Sequence, residues 1–183
     1  EKAGASFHAR HDAVGRSYLY QVSRRRTALG KRYVWWIKDS LDVRRMASAA
    51  RLFLGMKNFE SFTADDPEEK SMTVKVDRCE IKEEGDLILF RVEGSHFLWK
   101  LVRQLVGILV EVGRGNVGEE ELRKMLAART DAPAKYTAPP SGLFLERVYY
   151  PGDEKLSALE PVLAVRSPFR KATASARVRR PSS

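Results

Sequence analysis

The sequence has 183 residues, of which 43% are hydrophobic and 31% charged, and its formal net charge is +9. This composition excludes wholesale disorder, and no apolar run reaches the roughly 18 residues that a membrane-spanning helix needs. The single cysteine, Cys79, excludes an internal disulfide and favours a reducing compartment.

The positive charge is concentrated at the two ends of the chain. Residues 1–33 carry eight Lys and Arg against two acids, and residues 152–183 carry seven against three. Residues 34–151 are close to neutral, with eighteen basic residues against nineteen acidic ones. A neutral core with basic ends indicates an anionic partner, with nucleic acid as the first candidate, although such charge also serves solubility.

Hydrophobic patterning predicts an α+β fold, in which helices pack on a mainly antiparallel sheet. The predicted elements are, in chain order, a strand at 15–23, a strand at 33–37, a helix capped by Asp42 and ending at Gly55, a hairpin of strands at 73–82 and 86–94, helices at 97–112 and 118–128, and a strand at 142–150. We expect residues 1–151 to form one domain. Residues 152–183, which are basic and rich in Ser, Ala and Pro, are expected to form a disordered tail.

Arg103 is the residue that points most clearly to chemistry. It lies in the helix at 97–112, which is apolar nearly all round. A buried guanidinium is costly unless it is paired. Its partner is either an internal carboxylate, for which Glu111 is the only acid nearby on the helix, or an active-site acid, or a phosphate.

Two tyrosines, Tyr18 and Tyr20, share one face of the first strand, with Arg10, Arg16 and the arginines at 24–26 around them. Aromatic side chains among arginines can stack on bases while the arginines neutralise phosphates. Tyrosines on a strand also pack across strands in ordinary cores, and the pattern alone favours that interpretation.

Motifs for metals and nucleotide cofactors are missing. The three histidines and Cys79 do not have the spacing of a zinc site, and no glycine-rich phosphate loop follows a strand. The residues therefore give no support for a zinc site or for nucleotide-dependent chemistry.

Five segments, in order, resemble the TruA-type tRNA pseudouridine synthases. They are FHAR at 7–10, RSYLY at 16–20, NFESF at 58–62, HFLWKLVRQLVGILVEVGRG at 96–115 and APPSGLFLERVYY at 138–150. The resemblance implies a cytoplasmic enzyme, commonly a homodimer, that isomerises uridine to pseudouridine in the tRNA anticodon arm, at tRNA positions 38–40. It also implies that neither a metal nor an organic cofactor is used. The target base must leave its stack first.

The resemblance also implies roles for particular residues. Tyr18 would stack on the flipped uridine and help remove its C5 proton, and Leu143 would pack against the base. Arg103 would pair with the catalytic aspartate. Arg10 and Arg16 are expected to contact the substrate RNA because they border the strand of Tyr18, a prediction that comes from the pattern of residues and not from the resemblance.

One expected motif is missing. In the family the aspartate lies in an R-T-D-x-G-V-H-A motif upstream of FHAR, and this sequence begins close to FHAR. The segment at 129–132 reads R-T-D-A but continues differently, so Asp131 is interpreted as a turn residue before Pro133. We therefore expect the C-terminal half of such an enzyme, inactive alone. The alternatives are a non-catalytic RNA-binding module and one subunit of a split enzyme.

Overall fold

The computed structural model describes residues 7–163, in which six strands and three α-helices form regular structure. The elements are, in chain order, β1 (Gly15–Ser23), β2 (Trp35–Trp36), α1 (Val43–Ala50), β3 (Gly55–Asn58), β4 (Thr73–Glu84), β5 (Leu87–Gly94), α2 (Leu101–Arg114), α3 (Glu119–Ala127) and β6 (Leu143–Tyr149). Short 3-10 helices occupy Arg51–Phe53, Glu60–Phe62 and Ala132–Tyr136.

The six strands form one sheet in the order β2-β1-β5-β4-β3, and β6 pairs with the first part of β1. Every pairing is antiparallel except that of β1 with the two-residue β2. The predicted α+β fold is thus confirmed, as is the hairpin of β4 and β5. Strand β3 was not predicted, because its four residues are largely exposed and show no alternation.

The main core lies between one face of the sheet and the helices. Tyr20 and Val22 of β1 pack there with the inward side chains of β5 and with the apolar surface of α2. Most of α2 is buried, as predicted, and Asp42 caps α1 by accepting a hydrogen bond from Arg45 N–H at 3.0 Å. A helix enclosed in this way is held in place by its neighbours, so the side chains that it presents are positioned firmly.

Helix α2 begins at Leu101 rather than at the predicted Phe97. Asp65 accepts a hydrogen bond from Trp99 N–H at 2.7 Å, and Lys100 takes a left-handed conformation with φ 62°. These two features end the preceding loop and direct the chain into the helix. The carboxylate comes from a loop more than thirty residues earlier, so local periodicity carries no signal for it.

The opposite face of the sheet carries charge and is covered by residues from beyond β6. Leu159 is 8% exposed and packs on Leu19 and Leu89. The carbonyl oxygens of Leu156 and Ala158 accept hydrogen bonds from Arg78 and Arg91.

Part of the predicted tail at 152–183 takes part in this packing. Within residues 152–163, Leu156, Ala158 and Leu159 contact the sheet. The carbonyls of Leu156 and Ala158 accept from the partly buried Arg78 and the buried Arg91, and the composition of the segment does not reveal such contacts. The rest of the predicted tail lies outside the described residues, and the division of the chain into a domain and a tail stays a prediction. In residues 7–163 no helix is long and apolar enough to cross a bilayer.

Candidate functional site

Tyr18 and Tyr20 lie on the helix-covered face of the sheet, as their spacing predicted. Tyr20 is fully buried, whereas Tyr18 is only partly buried at the end of the core. The Tyr18 ring meets Phe97 edge to face, with ring centroids 5.1 Å apart and planes at 82°. This contact fixes the ring direction and leaves part of Tyr18 accessible at the rim of the core.

Two leucines of β6 lie on the same face as these tyrosines. Leu143 is paired with Tyr20 and Leu145 with Tyr18, and directly paired residues of antiparallel strands share a face. Leu143 is partly buried and Leu145 is 56% exposed. Leu145 was not among the predicted site residues, although its alternation with Leu143 in the G-L-F-L segment carries that signal.

A register shift in β1–β6 pairing keeps Leu145 on this face. The shift falls between Ser17 and Tyr18 and leaves Glu146 without a directly paired residue. The Glu146 carboxylate instead accepts hydrogen bonds on the other face, from Ser17 Oγ and from the Arg91 guanidinium. The only acid in this part of β6 is therefore used structurally, and the face that carries Tyr18 stays apolar.

Arg103 lies in the first turn of α2 and is partly buried against the segment before β6. Its Nε–H donates to Ala138 O at 2.6 Å, and its own backbone oxygen accepts from Ala138 N–H at 3.0 Å. The guanidinium is close enough to Tyr20 for their charges to interact: burial raises the pKa of the Tyr20 hydroxyl, and the positive charge of Arg103 opposes that rise. The buried tyrosine is therefore a neutral hydrogen-bond donor at physiological pH.

The guanidinium of Arg103 has no carboxylate partner within residues 7–163. None of the ion pairs in that part of the chain includes it, and Nε is its one group with a hydrogen bond there. Glu111, the partner considered from the sequence, bonds to Arg114 and Asn116 instead. The internal carboxylate suggested for Arg103 is thus not Glu111, and its two terminal nitrogens can serve another acid.

The A-P-P-S-G segment at 138–142 is pinned between α2 and β1. Besides its bonds to Arg103, it is held by Tyr20 Oη, which donates to Pro139 O at 2.7 Å, and by Gln21 N–H, which donates to Gly142 O at 2.9 Å. Gly142 has φ +100°, and a Cβ there would lie 2.6 Å from Gln21 O. Only glycine fits that close approach, which brings Leu143 directly beside Tyr20.

Arg16 and Arg10 are placed differently from each other. The Arg16 guanidinium donates to three backbone carbonyls, those of Ala13, Ser95 and Arg10, at 3.2, 2.9 and 3.0 Å. It therefore holds the loop before β1 against the end of β5. Arg10 is exposed, and its side chain makes no hydrogen bond within residues 7–163. Their contact with substrate stays a prediction.

Within residues 7–163, Asp131 forms neither a hydrogen bond nor an ion pair with Arg103. It is exposed at the start of the 3-10 helix Ala132–Tyr136, where its backbone oxygen accepts from Ala134 N–H at 3.2 Å. Its neighbour Arg129 pairs with Glu60. This geometry agrees with the turn interpretation of the R-T-D-A segment.

The connection from β1 to the residues beyond β2 forms an exposed basic surface, which we call the basic loop (residues 24–38). It carries six cations and no acid, all of them exposed: Arg24, Arg25, Arg26, Lys31, Arg32 and Lys38. Tyr33 and Trp36 are exposed aromatic residues on it, and the Arg26 guanidinium lies 5.6 Å from the Trp36 ring centroid. Such a combination suits the backbone and bases of RNA.

Buried side chains anchor the basic loop next to the A-P-P-S-G segment. Val34 and Ile37 are each 3% exposed, and Trp35 packs edge-on against Tyr20. The backbone nitrogen of Trp35 lies 3.2 Å from the position that a Cβ on Gly142 would occupy, so the two segments are in close contact. The cations are therefore displayed from a fixed backbone rather than from a free loop.

Comparison with known proteins places these features in a family. The sequence profile described as tRNA pseudouridine synthase matches residues 49–151, more than half of the chain. A protein of Mesorhizobium japonicum, named tRNA pseudouridine synthase A, is 41% identical over 147 residues, covering 79% of this chain and 59% of its own. Proteins of the same name from Exiguobacterium sibiricum and Paramagnetospirillum magneticum are 34% and 38% identical over 155 and 152 residues, or 85% and 82% of this chain.

The matched relatives are longer than this sequence. The aligned regions cover 62% of the Exiguobacterium protein and 59% of the Paramagnetospirillum protein, so the chain spans about three fifths of the relatives it matches. Within that span, the profile match contains both Arg103 and the A-P-P-S-G segment. The chain belongs to the tRNA pseudouridine synthase family.

Proposed function

We propose that the protein is a tRNA pseudouridine synthase and that this chain supplies one wall of its active site. The observation that carries the proposal is Arg103, whose Nε is fixed on Ala138 O while no carboxylate within residues 7–163 pairs with it. Arg103 lies near Tyr20, which pairs with Leu143 and shares a sheet face with Tyr18. An arginine fixed in this way near an apolar surface is suited to hold an acid against a flat base.

The reaction is an isomerisation, with no net gain or loss of atoms or electrons. A catalytic aspartate attacks the target nucleotide, and the bond from ribose C1′ to uracil N1 breaks. C5 of the base then bonds to C1′, and the bond between the aspartate and the nucleotide breaks, which returns the aspartate as a free carboxylate. The proton on C5 leaves and N1 gains one. This sequence lacks the R-T-D-x-G-V-H-A motif, so we assign the aspartate to a part of the protein beyond these residues.

Each residue of the site has a distinct role in this proposal. Arg103 keeps the aspartate ionised, because a guanidinium within about 4 Å lowers a carboxyl pKa. Tyr18 stacks on the flipped uracil and assists removal of the C5 proton, and Leu143 packs on the base. Leu145 extends that apolar wall toward solvent, where the next nucleotide would pass.

The substrate tRNA would bind along the basic surfaces of the chain. The basic loop presents six cations without an acid, and Arg10 is exposed beside β1. Each phosphate neutralised releases counterions, so binding should weaken steeply with salt. The same surface supports the second candidate function, that of an RNA-binding module without catalysis, and a separate subunit carrying the aspartate would make the protein a split enzyme. Homodimer formation and a cytoplasmic location follow from the resemblance and stay proposals.

The test uses the polypeptide that the complete gene encodes, with unmodified tRNA as substrate. We expect Arg103→Ala to abolish pseudouridine formation while tRNA affinity changes less than about threefold, because the guanidinium acts on the aspartate rather than on RNA. The matched control is Arg114→Ala, an arginine of the same helix whose partners are Glu111 and Asp39. We expect this control to retain activity.

The outcomes separate the candidates. Tight, salt-sensitive tRNA binding without pseudouridine formation by the wild type would support the RNA-binding module. Near-normal turnover in Arg103→Ala would contradict the proposed site. Residues 1–183 by themselves are expected to bind tRNA without modifying it, and pseudouridine formation by this chain alone would contradict the assignment of the aspartate.

A matched pair of triple variants tests the RNA surface. Changing three basic-loop cations to Ser (Arg25, Lys31 and Arg32) should reduce the slope of log affinity against log salt by about 2 to 3. The control changes three exposed cations outside the loop, on α1 and just after it, to Ser (Arg44, Arg45 and Arg51). Equal effects of the two variants would show that the contribution is unspecific charge.

A further inference from the structure

The Tyr20 hydroxyl is a buried polar group to which the proposed mechanism gives no task. The side chain is 0% exposed, and its Oη donates to Pro139 O at 2.7 Å. A buried hydroxyl must find a partner to offset its desolvation, so any acceptor in the core would satisfy the folding requirement. The acceptor it does find lies in the segment that holds Arg103.

Tyr20 and Arg103 donate hydrogen bonds to the carbonyl groups of consecutive residues. Arg103 Nε–H donates to Ala138 O at 2.6 Å, and the next carbonyl along the chain, that of Pro139, accepts from Tyr20 Oη. A single planar peptide unit joins the two carbonyl-bearing residues. The proline ring also fixes the φ angle of Pro139, so a displacement of this residue carries the Ala138–Pro139 peptide plane with it, and therefore the acceptor that sets the direction of the guanidinium.

The A-P-P-S-G segment has few other means of holding itself in place. Pro139 and Pro140 lack an N–H group, so neither residue can anchor the segment with a backbone donor. Three backbone donors act on the segment. Ala138 N–H bonds back to Arg103 O, Leu143 N–H closes a turn onto Pro140 O at 3.2 Å, and Gln21 N–H reaches Gly142 O, so the Pro139 carbonyl is left to a side chain. Tyr20 is thus the side chain that fixes the middle of the segment.

We propose that Tyr20 is a positioning residue for Arg103: through Pro139 and Ala138 its hydroxyl fixes the guanidinium so that the two terminal nitrogens face the catalytic acid. This role rests on the proposed function, because the proposed function supplies the carboxylate with which Arg103 pairs. Tyr20 itself contacts neither the base nor the acid. The structural contacts on which it depends lie wholly within residues 7–163.

The variant Tyr20→Phe tests this role, because it removes the hydroxyl and keeps the ring against Trp35. The matched control is Tyr149→Phe, which removes another buried hydroxyl, 1% exposed at the residue level, that donates to Glu93 on the opposite face of the sheet. Tyr20→Phe loses one buried hydrogen bond, whereas Tyr149→Phe loses two, because Tyr149 Oη also accepts from Leu156 N–H at 3.3 Å. The control therefore carries at least as large a general loss of stability as the variant under test.

The first readout needs no activity. In the chain of residues 1–183, NMR of the arginine side chains measures the exchange of Arg103 Nε–H with solvent. We expect Tyr20→Phe to accelerate that exchange by about tenfold or more, because its acceptor is released. The control is expected to leave it unchanged. Unchanged exchange in Tyr20→Phe would overturn the proposal, as would equal acceleration in both variants.

The second readout uses the polypeptide encoded by the complete gene. We expect Tyr20→Phe to lower kcat for tRNA about 5- to 50-fold with KM and tRNA affinity nearly unchanged, because a misdirected catalytic group slows the step without weakening binding. Tyr149→Phe should keep its kcat. Wild-type kcat in Tyr20→Phe would overturn the positioning role while leaving the proposed function intact, whereas an inactive wild type would contradict the proposed function and leave the exchange result standing.

Discussion

Gly107→Ala gives the sharpest test of how α2 meets the segment that carries the site. Gly107 lies in the middle of α2, where alanine normally favours a helix by about 1 kcal/mol. A Cβ at this position would however lie 1.5 Å from Tyr136 O and 3.0 Å from Ala138 N. Ordinary contacts are longer than 3.4 Å, so the backbone around Tyr136 has to move by about 2 Å or the helix has to shift.

The expected net effect is destabilisation. Overpacking of this kind costs about 1–3 kcal/mol and occasionally more, because the obstructing atoms belong to backbone and cannot rotate away. A contact of 1.5 Å with a backbone oxygen puts the cost at the upper end of that range, so subtracting the helix preference leaves about 2 kcal/mol. For a domain of this size that corresponds to a fall in Tm of roughly 4–8 °C.

The control is Gly113→Ala, near the end of the same helix. There the Cβ would meet Met46 Sδ at 2.6 Å, in a flexible side chain that can change rotamer. We expect Gly113→Ala to cost less than Gly107→Ala in thermal unfolding followed by circular dichroism. If Gly107→Ala is as stable as the wild type, or more stable than the control, the close approach of α2 to the A-P-P-S-G segment is wrong.

Three further predictions concern other parts of the fold. Asp42→Ala should lower the free energy of unfolding by about 1 kcal/mol through loss of the α1 cap, and an unchanged Tm would contradict the cap. Glu146→Ala leaves Arg91, which is 1% exposed, without its bidentate partner and should cost about 3–5 kcal/mol in urea unfolding; a loss below 1 kcal/mol would contradict the buried pair. Burial opposes ionisation of Asp65, but hydrogen bonds from Lys70 and Trp99 outweigh it and lower the carboxyl pKa. Because the folded pKa is the lower one, Asp65 stabilises the protein at neutral pH and loses that contribution as pH falls below about 4; Asp65→Asn should flatten this part of the stability profile.

Local patterns in the sequence predicted the elements whose signal lies within a few residues. β1, the β4–β5 hairpin and the burial of α2 follow from alternation, turn residues and an apolar helical surface. The α2 start did not follow, because Asp65 sets it from another loop. β3 was missed because it owes its strand conformation to pairing with β4 rather than to its own residues.

The sequence predicted individual residues of the site, but not the hydrogen bonds that join them. Periodicity placed Arg103 in a buried helix, and the resemblance assigned it a partner acid. Neither could show that Nε is occupied by Ala138 O or that Tyr20 fixes the neighbouring carbonyl, since these contacts join residues far apart in sequence. The two prolines of A-P-P-S-G are the sequence feature that indicates a need for side-chain hydrogen bonds, because proline has no backbone N–H. Similarly, Leu156 and Ala158 contact the sheet through their carbonyl groups, which every residue has, so these contacts leave no trace in composition.

The most direct test of the central claim is release of tritium from tRNA labelled at C5 of its uridines, by the polypeptide that the complete gene encodes. We predict stoichiometric release accompanied by pseudouridine in the anticodon arm, and none of either with Arg103→Ala despite normal tRNA binding. Tritium release at the wild-type rate by Arg103→Ala, or none by the wild type with tRNA bound, would contradict the claim that Arg103 orients the catalytic acid of a pseudouridine synthase.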